Sequence, residues 1–277
     1  MSAPSEPRTT LARPDLADSR LQGLVRAGAF APPRPMRCRA PVAAVRRGPD
    51  LRTVQEDQLL YGELFDVIEE QGGWSWGQAR RDGYVGFVAS DALGAAAGLP
   101  THRVRALRTY GFERPDKKAP LRGPYGLNAL VAGAGRVQDG FLDAGEAGWI
   151  FEAHLAPIGL FETDAAAVAE RHLGAPYVWG GRDSQGLDCS GLAQQALLAC
   201  GRACPRDADQ QLAFFRRPVA RAELGRGDLV FWANHVGMML DGERMIHATD
   251  RYMAVVVERL QDAISEIGAE PVALRRP

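Results

Sequence analysis

The stretch YVWGGRDSQGLDCSGL, residues 177–192, holds four glycines, two aspartates and one of only four cysteines in the chain. Its second half reads as a helix start. Asp188 has the short acceptor side chain that caps a helix N-terminus, and the apolar run that follows closes at Gly201. Cys189 then falls in the first turn, where unpaired backbone N–H groups and the helix dipole favour an anion. A thiolate is the nucleophilic form of cysteine, and helix N-termini lower the thiol pKa toward it. The alternative is a small buried hydrophobe, the usual fate of a free cysteine. The polar, glycine-rich approach favours an activated nucleophile. Leu192, Ala196, Leu197 and Cys200 mark the expected buried stripe of this helix.

A thiolate needs a base, and the chain has five histidines. His172 ends a short helix, and His102 and His154 lie in a β-rich stretch, so these three read as structural or surface groups. His235 and His247 bound HVGMMLDGERMIH, a hairpin pattern. A two-residue Asp241-Gly242 turn would pair Leu240 with Glu243 and send the two rings to opposite faces. A three-residue loop with Gly242 left-handed pairs Met239 with Glu243 and sets the two histidines directly opposite each other. Facing Cys189, one imidazole would take the thiol proton and the other would orient it.

Outward from this centre the character changes at Thr163. The segment TDAAAVAERHLG (163–174) has Thr163 or Asp164 as N-cap and Gly174 as stop, so it reads as a helix. Beyond the cysteine helix come a connecting stretch and four hairpin-spaced strands, DLVFWA, HVGMML, RMIHAT and AVVVERL, which make an α+β domain with an antiparallel sheet. Before Thr163 the pattern is β. VGFVASDAL (85–93) recurs as AGWIFEAHL (147–155), an offset of 62 residues that suits tandem small barrels. Six of the eighteen prolines precede position 37 and mark an extended or wrapping arm. The expected organisation is an arm (1–37), two β-domains (38–97 and 98–160) and the α+β domain (161–277).

With 33 Lys and Arg against 34 Asp and Glu, the chain carries no electrostatic footprint for nucleic acid or an anionic membrane. The N-terminal residues lack the apolar run of a signal peptide, and no stretch is long enough to span a bilayer, so the expected compartment is the cytoplasm. Four cysteines in 277 residues do not form a disulfide framework. Cys200 and Cys204 lack a second ligand pair at zinc-site spacing, so no metal is expected.

PYVWGG…DCSGL, PRDADQQ and GDLVFW…HVGMML…MIHA, in this order over roughly 163–270, resemble the NlpC/P60 cysteine peptidases, papain-like enzymes that cleave cell-wall peptides. The resemblance implies Cys189 as nucleophile, His235 as base and His247 as the orienting third residue, with Tyr177 lining the cleft and no cofactor. The β repeats resemble bacterial SH3 domains, as found ahead of this catalytic domain in γ-D-glutamyl-L-diamino-acid endopeptidases. That subgroup recognises a free N-terminal L-alanine, which implies roles for Asp188 and Ser190 beside the nucleophile and for Glu63 and Tyr84 in the first β-domain. The expected partner is therefore a murein peptide. Ala208 stands where the family often has a serine hydroxyl, which loosens the amine requirement. Two other functions share the pattern: a CHAP-like amidase or autolysin acting on intact wall, and a wall-peptide-binding protein without turnover.

Overall fold

The computed structural model describes residues 6–96 and 98–277. It forms two compact units, one ending at Ile158 and the other spanning Gly159–Pro277. Among the described residues, no helix is long and apolar enough to cross a membrane.

The first unit is built on two hydrophobic cores. Seven strands make an antiparallel sheet in the spatial order Gln55–Leu60, Val42–Arg46, Val85–Ala89, Trp74–Ala79, Leu64–Gln71, Arg34–Cys38 and Leu93–Ala95. Cys38, Val45, Leu59, Phe65 and Val88 fill its core. The strand Arg34–Cys38 already pairs with the sheet, so these residues belong to the first β-domain and not to the arm. The arm before them packs on that domain. The Arg13 guanidinium lies 4.0 Å above the Trp76 ring and bonds Glu69 at 3.0 Å, and Thr9 O accepts from the Gln78 amide.

The second core gathers Val104, Val131, Leu142, Ile150 and Leu155, covered by a three-stranded and a five-stranded antiparallel sheet. The repeated motif has one local form in both places. Strand, 3-10 turn and strand follow at Val85–Ala89, Ser90–Ala92 and Leu93–Ala95, and again at Trp149–Phe151, Glu152–His154 and Leu155–Pro157. Leu93 and Leu155, the matched residues, each enter their own core. The two cores meet at a seam. Leu60 ends a strand of the first sheet but is buried in the second core, and Tyr61 O accepts from Leu130 N–H at 2.8 Å. Gly62 sits there at φ +83°, where an added Cβ would fall 2.0 Å from Leu130 O, so only glycine permits the approach.

The second unit is α+β. Helices α1 (Ala165–Glu170), α2 (Cys189–Ala199), α3 (Ala208–Phe214) and α4 (Leu260–Ile267) accompany a five-stranded antiparallel sheet. Its spatial order is Ala254–Arg259, Arg244–Thr249, His235–Met239, Leu229–Trp232 and Ala273–Arg275. The four expected strands are present and the last joins them from the C-terminal end. α1 is capped by the Asp164 carboxylate on Ala167 N–H and is shorter than the pattern indicates, with turns carrying the chain to Gly174 at φ +80°. The expected stripe on α2 does not describe it. Every residue from Cys189 to Leu197 is buried, because α2 lies among α1, α3 and the strands His235–Met239 and Arg244–Thr249. An all-round apolar or small-residue surface is what a central helix requires.

Candidate active site

The approach to α2 is tight. A Cβ on Gly191 would stand 2.2 Å from Gly181 O, so the glycine loop and the first turn of the helix touch backbone to backbone. Asp188 caps α2 and collects five donors. Its Oδ1 accepts from Gly191 N–H (2.8 Å), Ser190 Oγ (3.2 Å) and the Arg206 guanidinium (2.9 Å), and its Oδ2 accepts from Gly180 N–H and Arg206 (both 2.8 Å). Two carboxylate oxygens offer about four lone-pair sites, so this group is filled. Arg206 is fully buried, also donates to Ser190 Oγ (2.9 Å) and Gly181 O (3.1 Å), and locks the loop, the cap and the start of α3 together. α3 is tied in turn by Gln211, whose amide donates to Ser190 O at 2.9 Å.

The two histidines meet. His235 Nε2 lies 2.7 Å from His247 Nδ1, with the rings edge to face and centroids 5.0 Å apart. The tight turn after Trp232 pairs that residue with His235 and places the ring at the start of its strand. The register differs from the expected one. Met238 pairs with Ile246 and Met239 with Met245, so the loop is centred one residue later and His235 and His247 are diagonal, not directly opposite. Asp241 sets this. Its Oδ1 accepts from the Glu243 and Arg244 amides at 2.9 and 2.7 Å, and Gly242 is not left-handed. The rings nevertheless share a face, because the pairing has moved by two positions and side chains alternate with period two.

Cys189 begins α2 and its sulfur takes a hydrogen bond from the Val236 amide, next to His235. With His235 Nε2 committed to His247, Nδ1 is the ring nitrogen outside that contact. Burial dominates the electrostatics. It pushes the Cys189 thiol up to about 12, helped by the nearby Asp188 charge and opposed by the Val236 amide. Burial also pushes His235 down to about 3, with His247 adding to the shift. The helix start was expected to favour a thiolate; in the resting site desolvation outweighs that dipole, and thiol and imidazole are both neutral.

Residues 174–267 match the NlpC/P60 family profile, and residues 45–93 match the bacterial dipeptidyl-peptidase SH3 domain. The chain is 35% identical over 247 residues to a gamma-D-glutamyl-L-lysine dipeptidyl-peptidase of Bacillus subtilis, covering 80% of this chain and 81% of the relative. It belongs to the NlpC/P60 family. Dipeptidyl-peptidase 6 of Lysinibacillus sphaericus is 25% identical over 228 residues, 73% of this chain and 82% of that one. The crystal structure of an NlpC/P60 family protein from Bacillus cereus superposes with a TM-score of 0.76 over 87% of this chain and 99% of that one; at 18% identity it speaks for the fold.

Other residues implied by the NlpC/P60 resemblance divide into two groups. Tyr177 is half-buried near Cys189, where burial first and then the neighbouring Cys189 and Asp188 push its hydroxyl up. Its N–H donates to Met253 O at 2.9 Å. Ser190 lies in the Asp188–Arg206 lock. Glu63 and Tyr84 belong to the first unit and are occupied there. Glu63 is 1% exposed, with its carboxylate on Arg81 Nε (2.8 Å) and the Leu60 amide (3.0 Å), and Tyr84 packs in the first β core. Ala208 opens α3 and is buried. Sequence reasoning missed Arg206, which holds Asp188, and Glu258, whose Oε1 lies 2.6 Å from His247 Nε2. Among the described residues, no group of three or more His, Cys, Asp or Glu is placed to hold a metal ion.

Proposed function

We propose that the chain is a cysteine endopeptidase that hydrolyses the γ-D-glutamyl–diamino-acid amide of murein peptides. The observation that carries this is the His235–His247 contact of 2.7 Å, with the sulfur of Cys189 at the start of α2 hydrogen-bonded to the amide of Val236, the residue after His235. The 35% identical relative, named for a gamma-D-glutamyl-L-lysine linkage, supports the choice of bond. In the proposed reaction His235 Nδ1 takes the Cys189 proton and the sulfur attacks the amide carbonyl. The Cys189 N–H, at the unpaired end of α2, receives the developing oxyanion. The imidazolium returns its proton to the leaving amine, and water cleaves the thioester. Because burial holds both groups neutral at rest, the proton passes to His235 as the sulfur attacks and not before substrate binds.

Selection of a free N-terminal L-alanine is the finer part of the proposal. Asp188 offers no spare charge, since Arg206 neutralises it, and Ala208 offers no hydroxyl. The same two observations favour a second reading, a hydrolase that also accepts capped peptides from intact wall. Mass spectrometry of L-Ala-γ-D-Glu-L-Lys and its N-acetyl form separates them. A preference of at least about 10-fold in kcat/KM, ~1.4 kcal/mol, supports free-amine selection. Equal values give the wall-hydrolase reading, and no cleavage of either peptide overturns both. Ala208→Ser should sharpen the preference.

A further inference from the structure

His247 Nε2 is buried and has no aligned hydrogen-bond partner among the described residues, yet a carboxylate oxygen of Glu258 stands 2.6 Å away. A buried ring nitrogen without a partner is costly, and a largely buried carboxylate beside it is the group that can satisfy it. Glu258 comes from the neighbouring strand Ala254–Arg259, which pairs with Arg244–Thr249 along its whole length, so its backbone position is fixed by the sheet. The Glu258 side chain keeps only 13% of its surface exposed.

We propose that Glu258 is a positioning residue that fixes the protonation pattern of both histidines and so turns the lone pair of His235 toward Cys189. The deduction needs only donor and acceptor rules. A carboxylate can only accept, so His247 must carry its proton on Nε2. A neutral imidazole has one N–H, so His247 Nδ1 is then an acceptor. At 2.7 Å it accepts a hydrogen bond from His235 Nε2–H. That leaves His235 Nδ1 without a proton, which is the state a base must have to accept one from the thiol. When His235 becomes cationic during turnover, the negative charge two links away stabilises it. The unit is therefore a line of four groups, Cys189, His235, His247 and Glu258, in which the last never touches substrate.

This inference rests on Cys189 and His235 being the reacting pair, but its test needs no particular peptide. The full chain, labelled with 15N-histidine, is compared with Glu258→Leu and with the near-isosteric Glu258→Gln. In the wild type the NMR shifts should show His247 protonated at Nε2 and His235 at Nε2. Glu258→Leu should redistribute those tautomers, and Glu258→Gln, whose amide both donates and accepts, should give a mixture. Glu258→Leu should slow alkylation of Cys189, and lower kcat on any cleaved peptide about 10- to 100-fold, the usual cost of removing a group that orients another. KM should stay within about twofold, since no substrate contact is lost. Adding Glu258→Leu to His247→Ala should cost almost nothing more if the carboxylate acts through that ring. Protonation of wild-type His247 at Nδ1, additive losses in the double variant, or unchanged alkylation in both Glu258 variants would each overturn the inference. Because Glu258→Gln keeps the size and polarity of the side chain, a folding failure of Glu258→Leu leaves the NMR and alkylation tests intact.

Discussion

Arg206 grips both carboxylate oxygens of Asp188, at 2.9 and 2.8 Å, from a fully buried position. The pair holds the glycine loop against α2 and thereby places Cys189. A buried ion pair contributes little over an apolar substitute, but removing one partner leaves the other charge stranded, at a cost of ~3–5 kcal/mol. Arg206→Met is expected to lose that much in urea denaturation, and Arg206→Lys most of it, because an ammonium cannot reproduce the fork. Asp188→Ala with Arg206→Met should lose less than the two single changes added together.

Stability should fall on both sides of a neutral plateau. An unfolded chain protonates His235 near the ordinary value of 6.5, whereas the folded site resists until about 3. The unfolded state therefore binds more protons below pH 6.5, and stability drops as the pH falls, by up to ~1.4 kcal/mol per unit. Cys189 does the reverse: the unfolded thiol ionises near 9 and the folded one near 12, so stability drops above pH 9. Denaturation across pH should show His235→Gln flattening the acid side and Cys189→Ala the alkaline side. An acid limb of the full chain that is unchanged by His235→Gln would contradict the buried neutral imidazole.

Replacing the histidines should give unequal losses. His235→Asn removes the base and is expected to lower kcat by about 10²- to 10⁴-fold. His247→Gln keeps a group able to accept from His235 Nε2, so the loss should be nearer 10-fold. Steady-state kinetics on the same peptide compare them, with Cys189→Ala as the inactive reference.

Gly191→Ala places a methyl group 2.2 Å from Gly181 O, a backbone atom that cannot rotate away. Overpacking of this kind costs ~1–3 kcal/mol, and here it also pushes α2 off the loop. The expected result is a lowered Tm together with reduced kcat, while Gly174→Ala, with open space around it, costs only the strain of its positive φ.

Where the sequence was legible, one short signal determined one structure. The Asp188 cap, the Gly201 stop, the four hairpin-spaced strands and the matched ends at Leu93 and Leu155 all depend on neighbours in the chain. α3 carried a readable signal as well, a capping box between Asp207 and Gln210, and α4 has apolar residues at 260, 263, 264 and 267. Arg206 and Glu258 were not legible. Charged residues usually face solvent, and only the fold brings Arg206 to Asp188 and Glu258 to His247. The thiol went the other way from expectation for a related reason: the helix dipole is written locally, whereas the burial that outweighs it comes from elements distant in sequence.

The shared seam in the first unit has a consequence for anyone cutting the chain. The segment matched as a dipeptidyl-peptidase SH3 domain contains Leu60, which fills the neighbouring core, and Tyr61, whose carbonyl takes the Leu130 amide. Expressing residues 98–160 alone would leave a hole where Leu60 belongs, and expressing residues 6–97 alone would hand that leucine to water. The two β-domains are thus not separable modules, and any shuffling of domains among such chains has to keep them as one inherited piece.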